Sequence, residues 1–164
     1  FDFDAGMGEI EGSFVRTTGG GTTETAELEP TIEGSNKGEK LRGTQKDDVI
    51  DAKGGDDKVI GRKGADIVLA GEGDDYIVGH KDDDILSGEE GADTFYFRKG
   101  HGADVITDFE IGTDLIEIGK GAKKLGQLDF DQQGDDVVFT FKNVEVTVQD
   151  VLVSDLANTD NFLF

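Results

Sequence analysis

Apolar residues recur in this chain at a spacing that neither a helix nor a hairpin uses. Ile32, Leu41, Ile50, Val59, Val68, Ile77, Leu86 and Phe95 each stand nine places after the one before. A helix repeats at about 3.6 residues and a strand at about 2, so a sustained period of nine marks a repeated supersecondary unit instead. An acid stands two places before each apolar residue from Leu41 onward: Glu39, Asp48, Asp57, Asp66, Asp75, Asp84 and Asp93. Two places before the acid stand Gly55, Gly64, Gly73 and Gly91, whereas Lys37, Lys46 and Asp82 interrupt that column. After a slip of two residues the pattern returns in "KGHGADVIT", with Gly102, Asp104 and Ile106.

The unit reads as a six-residue turn followed by a three-residue strand. Glycine in the turn permits positive φ and lets backbone carbonyls crowd inward. Strand side chains alternate, so the apolar eighth position points into a core and the seventh and ninth point out. Two units, one forward and one returning, close a coil, and stacked coils make parallel sheets around a core of stacked aliphatics. The expected fold is therefore all-β, a parallel β-roll (a solenoid of nonapeptide repeats) over residues 34–107. Residues 1–33 are expected to be an N-terminal strand and linker, since "FDFDAG" alternates like a strand and "TTGGGTTET" is a flexible composition. In 108–164 "DLIEI", "LDFD", "DVVFTF" and "VEVTVQ" alternate as strands, and Lys142 and Asn143 make a tight hairpin turn. This segment is expected to form a C-terminal β-strand cap over the open end of the roll.

Charge restricts the partners. The formal net charge is −21, from 37 acids against 16 bases. Nucleic acid, whose recognition begins with clustered Lys and Arg, is excluded as a natural partner, and cations are favoured. There is no cysteine, so oxygen atoms of carboxylates and carbonyls are the main ligands on offer, and these suit calcium. Turn stacked on turn sets two carboxylates and several carbonyls near one point, the kind of cage a calcium ion with six to eight oxygen ligands takes. A solvated acidic face would need no register. No apolar run approaches the roughly 20 residues of a membrane span, and no secretory signal opens the chain, which begins at Phe1 and reads as a piece of a larger protein.

"GEGDDYIVG", "GRKGADIVL" and "GEEGADTFY" resemble the GGxGxDxUx nonapeptide of RTX proteins, a calcium-binding β-helix repeat. "ADTFYF", "GADVITDFEIGTDLIEI" and the closing "DNFLF" are similar to the C-terminal flank of serralysin-type proteins. The resemblance implies a β-roll exported from a bacterium by type I secretion machinery and folded outside, with a possible catalytic domain upstream. It also implies calcium between each turn and the turn two repeats on. The matching pairs are Asp48 with Asp66, Asp57 with Asp75, Asp66 with Asp84 and Asp75 with Asp93, with Glu39–Asp57 and Asp84–Asp104 as weaker sites at the ends. That makes about four to six ions, with Gly55, Gly64, Gly73 and Gly91 shaping the turns. Lys46 and Asp82 depart from the motif and weaken the turns they occupy.

Nothing here reads as an enzyme. His80 and His101 sit in turns, where a lone histidine is expected at the surface, and no HExxH or GxSxG occurs. Ile60, Ile67, Leu69, Tyr76, Val78 and Ile85 fall at outward positions and mark a surface for a partner, the N-terminal segment or the cap. Two functions stay open: a calcium-dependent folding and export module of a larger secreted protein, or a polysaccharide-binding or adhesion module like the repeat modules of alginate epimerases.

Overall fold

Each residue of the repeat lies beside its counterpart one coil further on, as Leu41 beside Val59 and Val59 beside Ile77. The computed structural model describes residues 29–164, with the backbone of two short strands before them, β1 (Ser13–Val15) and β2 (Thr25–Glu27), which pair antiparallel. The strand expected over "FDFDAG" lies outside the described residues, as does the linker "TTGGGTTET" apart from Thr25.

Successive repeats supply β3 (Ile32–Glu33), β4 (Lys40–Arg42), β5 (Val49–Asp51), β6 (Lys58–Lys63) and β7 (Ile67–Glu72). They continue as β8 (Tyr76–Lys81), β9 (Ile85–Glu90), β10 (Thr94–Phe97), β11 (Ala103–Ile106) and β12 (Leu115–Ile118). Then follow β13 (Asp129–Gln133), β14 (Asp136–Phe141), β15 (Val144–Val148), a single helical turn α1 (Val153–Leu156) and β16 (Phe162–Leu163). Strands alternate between two sheets. Sheet I has the order β16-β12-β10-β8-β6-β4, and sheet II the order β13-β14-β15-β11-β9-β7-β5-β3. All pairs within the stack are parallel, so the architecture is the expected all-β parallel β-roll.

The inward column of sheet I runs Leu41, Val59, Ile77, Phe95, Ile116, Phe162, and that of sheet II runs Ile32, Ile50, Val68, Leu86, Ile106, Val148. Apart from Ile32, these are buried, each worth roughly 1.5–3 kcal/mol of apolar transfer. The outward apolar residues Ile60, Ile67, Leu69 and Ile85 are half-covered by their stacked neighbours, and Val78 is buried.

Two features depart from expectation. β4 and β5 have the three residues anticipated, but β6 to β9 have six, because pairing continues past the bend at Arg62–His80, Lys63–Lys81 and Gly71–Glu89. The strand over "DLIEI" is β12, and it stacks on β10 as a further rung of sheet I. Beyond it, β15 lies parallel on β11, and β14 and β13 fold back antiparallel. The hairpin does turn at Lys142 and Asn143. At this end the core changes from aliphatic to aromatic: Phe139 contacts Phe97, Phe130, Phe141 and Phe162.

Candidate functional site

The turns between sheets hold the acids. Gly55, Gly64, Gly73 and Gly91 all take left-handed φ, at 95°, 111°, 131° and 146°. At Gly64 a Cβ would also overlap the Lys46 carbonyl of the preceding coil, so both torsion and space call for glycine there. Asp82 occupies the same position in its own turn and adopts φ 71° all the same.

The acids form two rows, one along each edge of the roll. Asp57, Asp75 and Asp93 lead into sheet I, and Asp48, Asp66, Asp84 and Asp104 lead into sheet II. Within a row, each carboxylate reaches back one coil and accepts from the backbone N–H of the previous acid. Asp75 Oδ1 takes the Asp57 N–H at 2.7 Å, Asp84 that of Asp66 at 2.9 Å, Asp93 that of Asp75 at 2.9 Å, and Asp104 that of Asp84 at 3.1 Å. The acids expected to pair are thus stacked. All seven are buried.

The second carboxylate oxygen divides the turns into two kinds. In Asp57, Asp66, Asp75, Asp84, Asp93 and Asp104, Oδ2 is buried without a hydrogen-bond partner. At Asp48 it accepts from Thr44 N–H at 2.6 Å and from Thr44 Oγ1, and Glu39 is closed in the same way by Ser35. The residue four places before the acid decides which kind forms. Before the six open carboxylates it is Lys53, Arg62, Gly71, His80, Glu89 and Gly100, every one left-handed; Ser35 and Thr44 are not. A left-handed residue there turns its N–H away from its own acid. Four of the six are not glycine, and a side chain in this conformation costs about 1–2 kcal/mol.

Burial dominates the electrostatics. It pushes Asp66 and Asp75 up to about 6, Asp93 and Asp104 to about 7 and Asp84 to about 8, opposed in each case by the N–H bond and assisted by neighbouring acids. An unpartnered buried carboxylate oxygen is costly, and either a proton or a cation relieves it. Among the described residues no three acidic or histidine side chains converge on one point, so a cation here needs backbone carbonyls beside the stacked carboxylates. Such a donor set, all hard oxygen, fits calcium and does not fit zinc or copper.

Other roles escape the nine-residue register. Asp114 extends the first row: it accepts from Asp93 N–H at 2.9 Å, and its Oδ2 is closed by Glu110 N–H at 2.8 Å. A stretch of 21 residues separates it from Asp93, but its setting two places before Ile116 is the same signal. Asp108 accepts from Ser87 Oγ and from the N–H groups of Gly88 and Glu89. The fifth-position acids Asp47, Asp56, Asp74 and Asp83 also work, accepting N–H bonds from Ala65, Asp74, Ala92 and Ala103 on the following coil. His101, expected at the surface, is only 3% exposed: it stacks on His80 at 5.3 Å and meets the Tyr96 ring edge-on at 6.0 Å.

A four-copy model of the RTX calcium-binding nonapeptide repeat matches residues 33–68 and 69–106. Residues 33–106 thus match the RTX calcium-binding repeat. Among solved structures, the chain is similar to part of the extracellular lipase LipA from Serratia marcescens, with TM-score 0.62 and 26% identity over 74% of this chain and 20% of the lipase. The chain therefore spans about one fifth of that enzyme. It also matches the AlgE6R2 and AlgE6R3 subunits of the Azotobacter vinelandii mannuronan C5-epimerase, both at 27% identity, with TM-scores 0.41 and 0.37. These matches cover 85% of this chain and 94% of AlgE6R2, and 84% of this chain and 86% of AlgE6R3. A comparison with curated proteins gives no match. The matched repeat is that of a structural calcium-binding module, and the lipase is an enzyme as a larger protein. Among the described residues no helix is long and apolar enough to cross a membrane.

Proposed function

We propose that the chain is a module that folds on binding extracellular calcium and serves the type I export and stability of a larger secreted protein. The supporting observation is the pair of carboxylate rows whose second oxygens are buried and unpartnered. Four sites follow, between Asp57 and Asp75, Asp75 and Asp93, Asp66 and Asp84, and Asp84 and Asp104, completed by backbone carbonyls of the turns that Gly55, Gly64, Gly73 and Gly91 shape. Calcium would supply positive charge to a stack of acids that otherwise repel one another. In this division residues 34–107 are the roll, 108–164 cap it and carry the export signal in "TDNFLF" (159–164), and 1–33 lead in from whatever precedes. Circular dichroism tests the folding half: coil in chelator, and β signal on adding calcium at about 0.1–1 mM. A complete β spectrum in chelator contradicts it. Deleting 159–164 and measuring the fraction exported by a type I transporter tests the other half, and undiminished secretion refutes the signal.

One observation favours a polysaccharide-binding reading as well. Lys40, Arg42, Lys58, Arg62, Lys63 and Lys81 lie on strands of sheet I, whose strands carry a single acid, Glu117; the strands of sheet II carry no Lys or Arg. Tyr76 and Tyr96 stack on that same face at 6.0 Å, with Lys58 Nζ 3.9 Å above the Tyr76 ring. An acidic glycan suits a cationic, aromatic face. Calcium-dependent binding of alginate or polygalacturonate, lost in Lys58→Gln, is the test.

A further inference from the structure

Where the turn after β8 meets the turns after β10 and β12, four cations converge. Lys81, Arg98, Lys99 and Lys120 line a cleft of about 220 Å³ with His80 and His101. Backbone bonds hold the turns together: Lys99 N–H donates to Lys120 O at 2.6 Å and His101 N–H to Arg98 O at 3.0 Å. None of the four has an acid in ion-pair contact; Lys53 with Glu33 is the one ion pair among the described residues. In a chain with 37 acids this is unusual, because like charges gathered without a counter-charge repel. The acids close to these cations in sequence are engaged elsewhere: Asp82 takes the Gly64 N–H, Asp83 the Ala103 N–H and Glu117 the Tyr76 hydroxyl.

The imidazoles add donors. Arg98 Nη2 lies 3.0 Å from His80 Nε2, and since arginine only donates, His80 carries its proton on Nδ1. That Nδ1 is buried without a partner, as are both ring nitrogens of His101. Burial, reinforced by Arg98, holds both rings neutral near pH 7, and His101 is pushed down to about 4. A metal ion is the wrong guest, because the surrounding ammonium and guanidinium groups repel it.

We propose that this cleft binds a tetrahedral oxyanion group, a phosphate monoester or a sulfate, held by Arg98 and the three lysines beside the stacked histidines. Several full positive charges match a group of charge near −2 with three acceptor oxygens better than a single carboxylate. The cleft admits one such group and not a sugar chain; it shares only Lys81 with the cations of the sheet I strands and needs only that the roll be folded.

The chain has two histidines, which makes their ring signals a direct probe. Nitrogen-detected NMR of the calcium-loaded chain should follow titration with sulfate, glucose 6-phosphate and glucuronate, against chloride at matched ionic strength. Both rings are expected to shift along one saturable curve with sulfate or glucose 6-phosphate, and their relative midpoints tell a sulfate site from a phosphate-ester site. Arg98→Gln should weaken that midpoint about tenfold, as loss of a charge-assisted bond does. Lys40→Gln, on the same sheet but two strands away from β8, should leave it unchanged. If Arg98→Gln does not give the β spectrum in calcium, the Lys99→Gln, Lys120→Gln pair takes its place. Shifts that never saturate, equal effects of the cleft and Lys40 substitutions, or a response to glucuronate alone overturn the proposal.

Discussion

The turn from Thr44 to Asp48 and the turn from His80 to Asp84 put a buried carboxylate at the same place in the stack, and the difference that counts is at their first residue. Thr44 faces its N–H and hydroxyl toward Asp48, which is thereby satisfied within the protein. His80 is left-handed, at φ 98°, and Asp84 keeps one oxygen without a partner. The first turn is finished without a ligand and the second is not. The comparison separates acids satisfied within the roll from acids that keep a buried oxygen unpartnered, the ones proposed to hold a cation, although both are written as the same aspartate in the same register.

Removing one acid of each kind is the sharpest way to break the comparison. Asp75→Ala, which takes a member from two sites, should raise the calcium midpoint of folding about tenfold or more, because affinity follows ligand charge. Asp48→Ala should leave that midpoint close to wild type and cost about 1 kcal/mol of stability in saturating calcium, the loss of a cap-like bond. Equal midpoints would dissolve the distinction.

Acid should separate the two kinds next. Asp66, Asp75, Asp84, Asp93 and Asp104 are raised to about 6–8, above the roughly 3.9 of an unfolded aspartate. A raised carboxylate contributes stability that is whole below the unfolded value and is lost as pH climbs through the folded one. In chelator the chain should therefore show more residual β signal at pH 5 than at pH 8, where it is coil. With calcium the dependence should reverse, since protons then compete with the ion. β signal in chelator that rises with pH would contradict the orphaned-oxygen picture.

Smaller effects sharpen the role of that first residue. Glu89→Gly relieves a left-handed side chain and removes a charge beside Asp108, and should add about 0.5–1 kcal/mol in calcium. Thr44→Gly, where no strain exists, should add nothing and lose the hydroxyl bond. Smallest is Asp47→Ala: its carboxylate accepts a bond from exposed backbone at Ala65, so a few tenths of a kcal/mol in thermal stability and no change in calcium response are expected.

The period of nine made most of the fold legible, because the inward columns and the acids are both written in it. From Ile32 to Phe95 the spacing alone decides which residues stack. What stayed hidden is set by backbone torsion. A left-handed bend is usually announced by glycine, yet Lys53, Arg62, His80 and Glu89 take it without one, since bonds to the coils above and below overdetermine the chain there. Asp114 was hidden by its interval of 21, and the burial of His101 because a turn position says nothing of the rings of His80 and Tyr96 packed against it.

The equal spacing of the rungs bears on how the molecule comes together in time. From Asp57 N–H to Asp75 Oδ1 the closed loop is 18 residues, and it grows only to 21 between Asp93 and Asp114. Closure entropy rises slowly with length, so each rung pays nearly the same toll and none requires a distant search. The slow event is then the first coil, which has no neighbour to lay its strands against. The hairpin of β14 and β15 closes locally and offers β11 a ready edge, so the roll grows from that end toward Ile32. Substitutions at Val146 or Phe139 should accordingly retard refolding, while those at Ile50 should chiefly hasten unfolding.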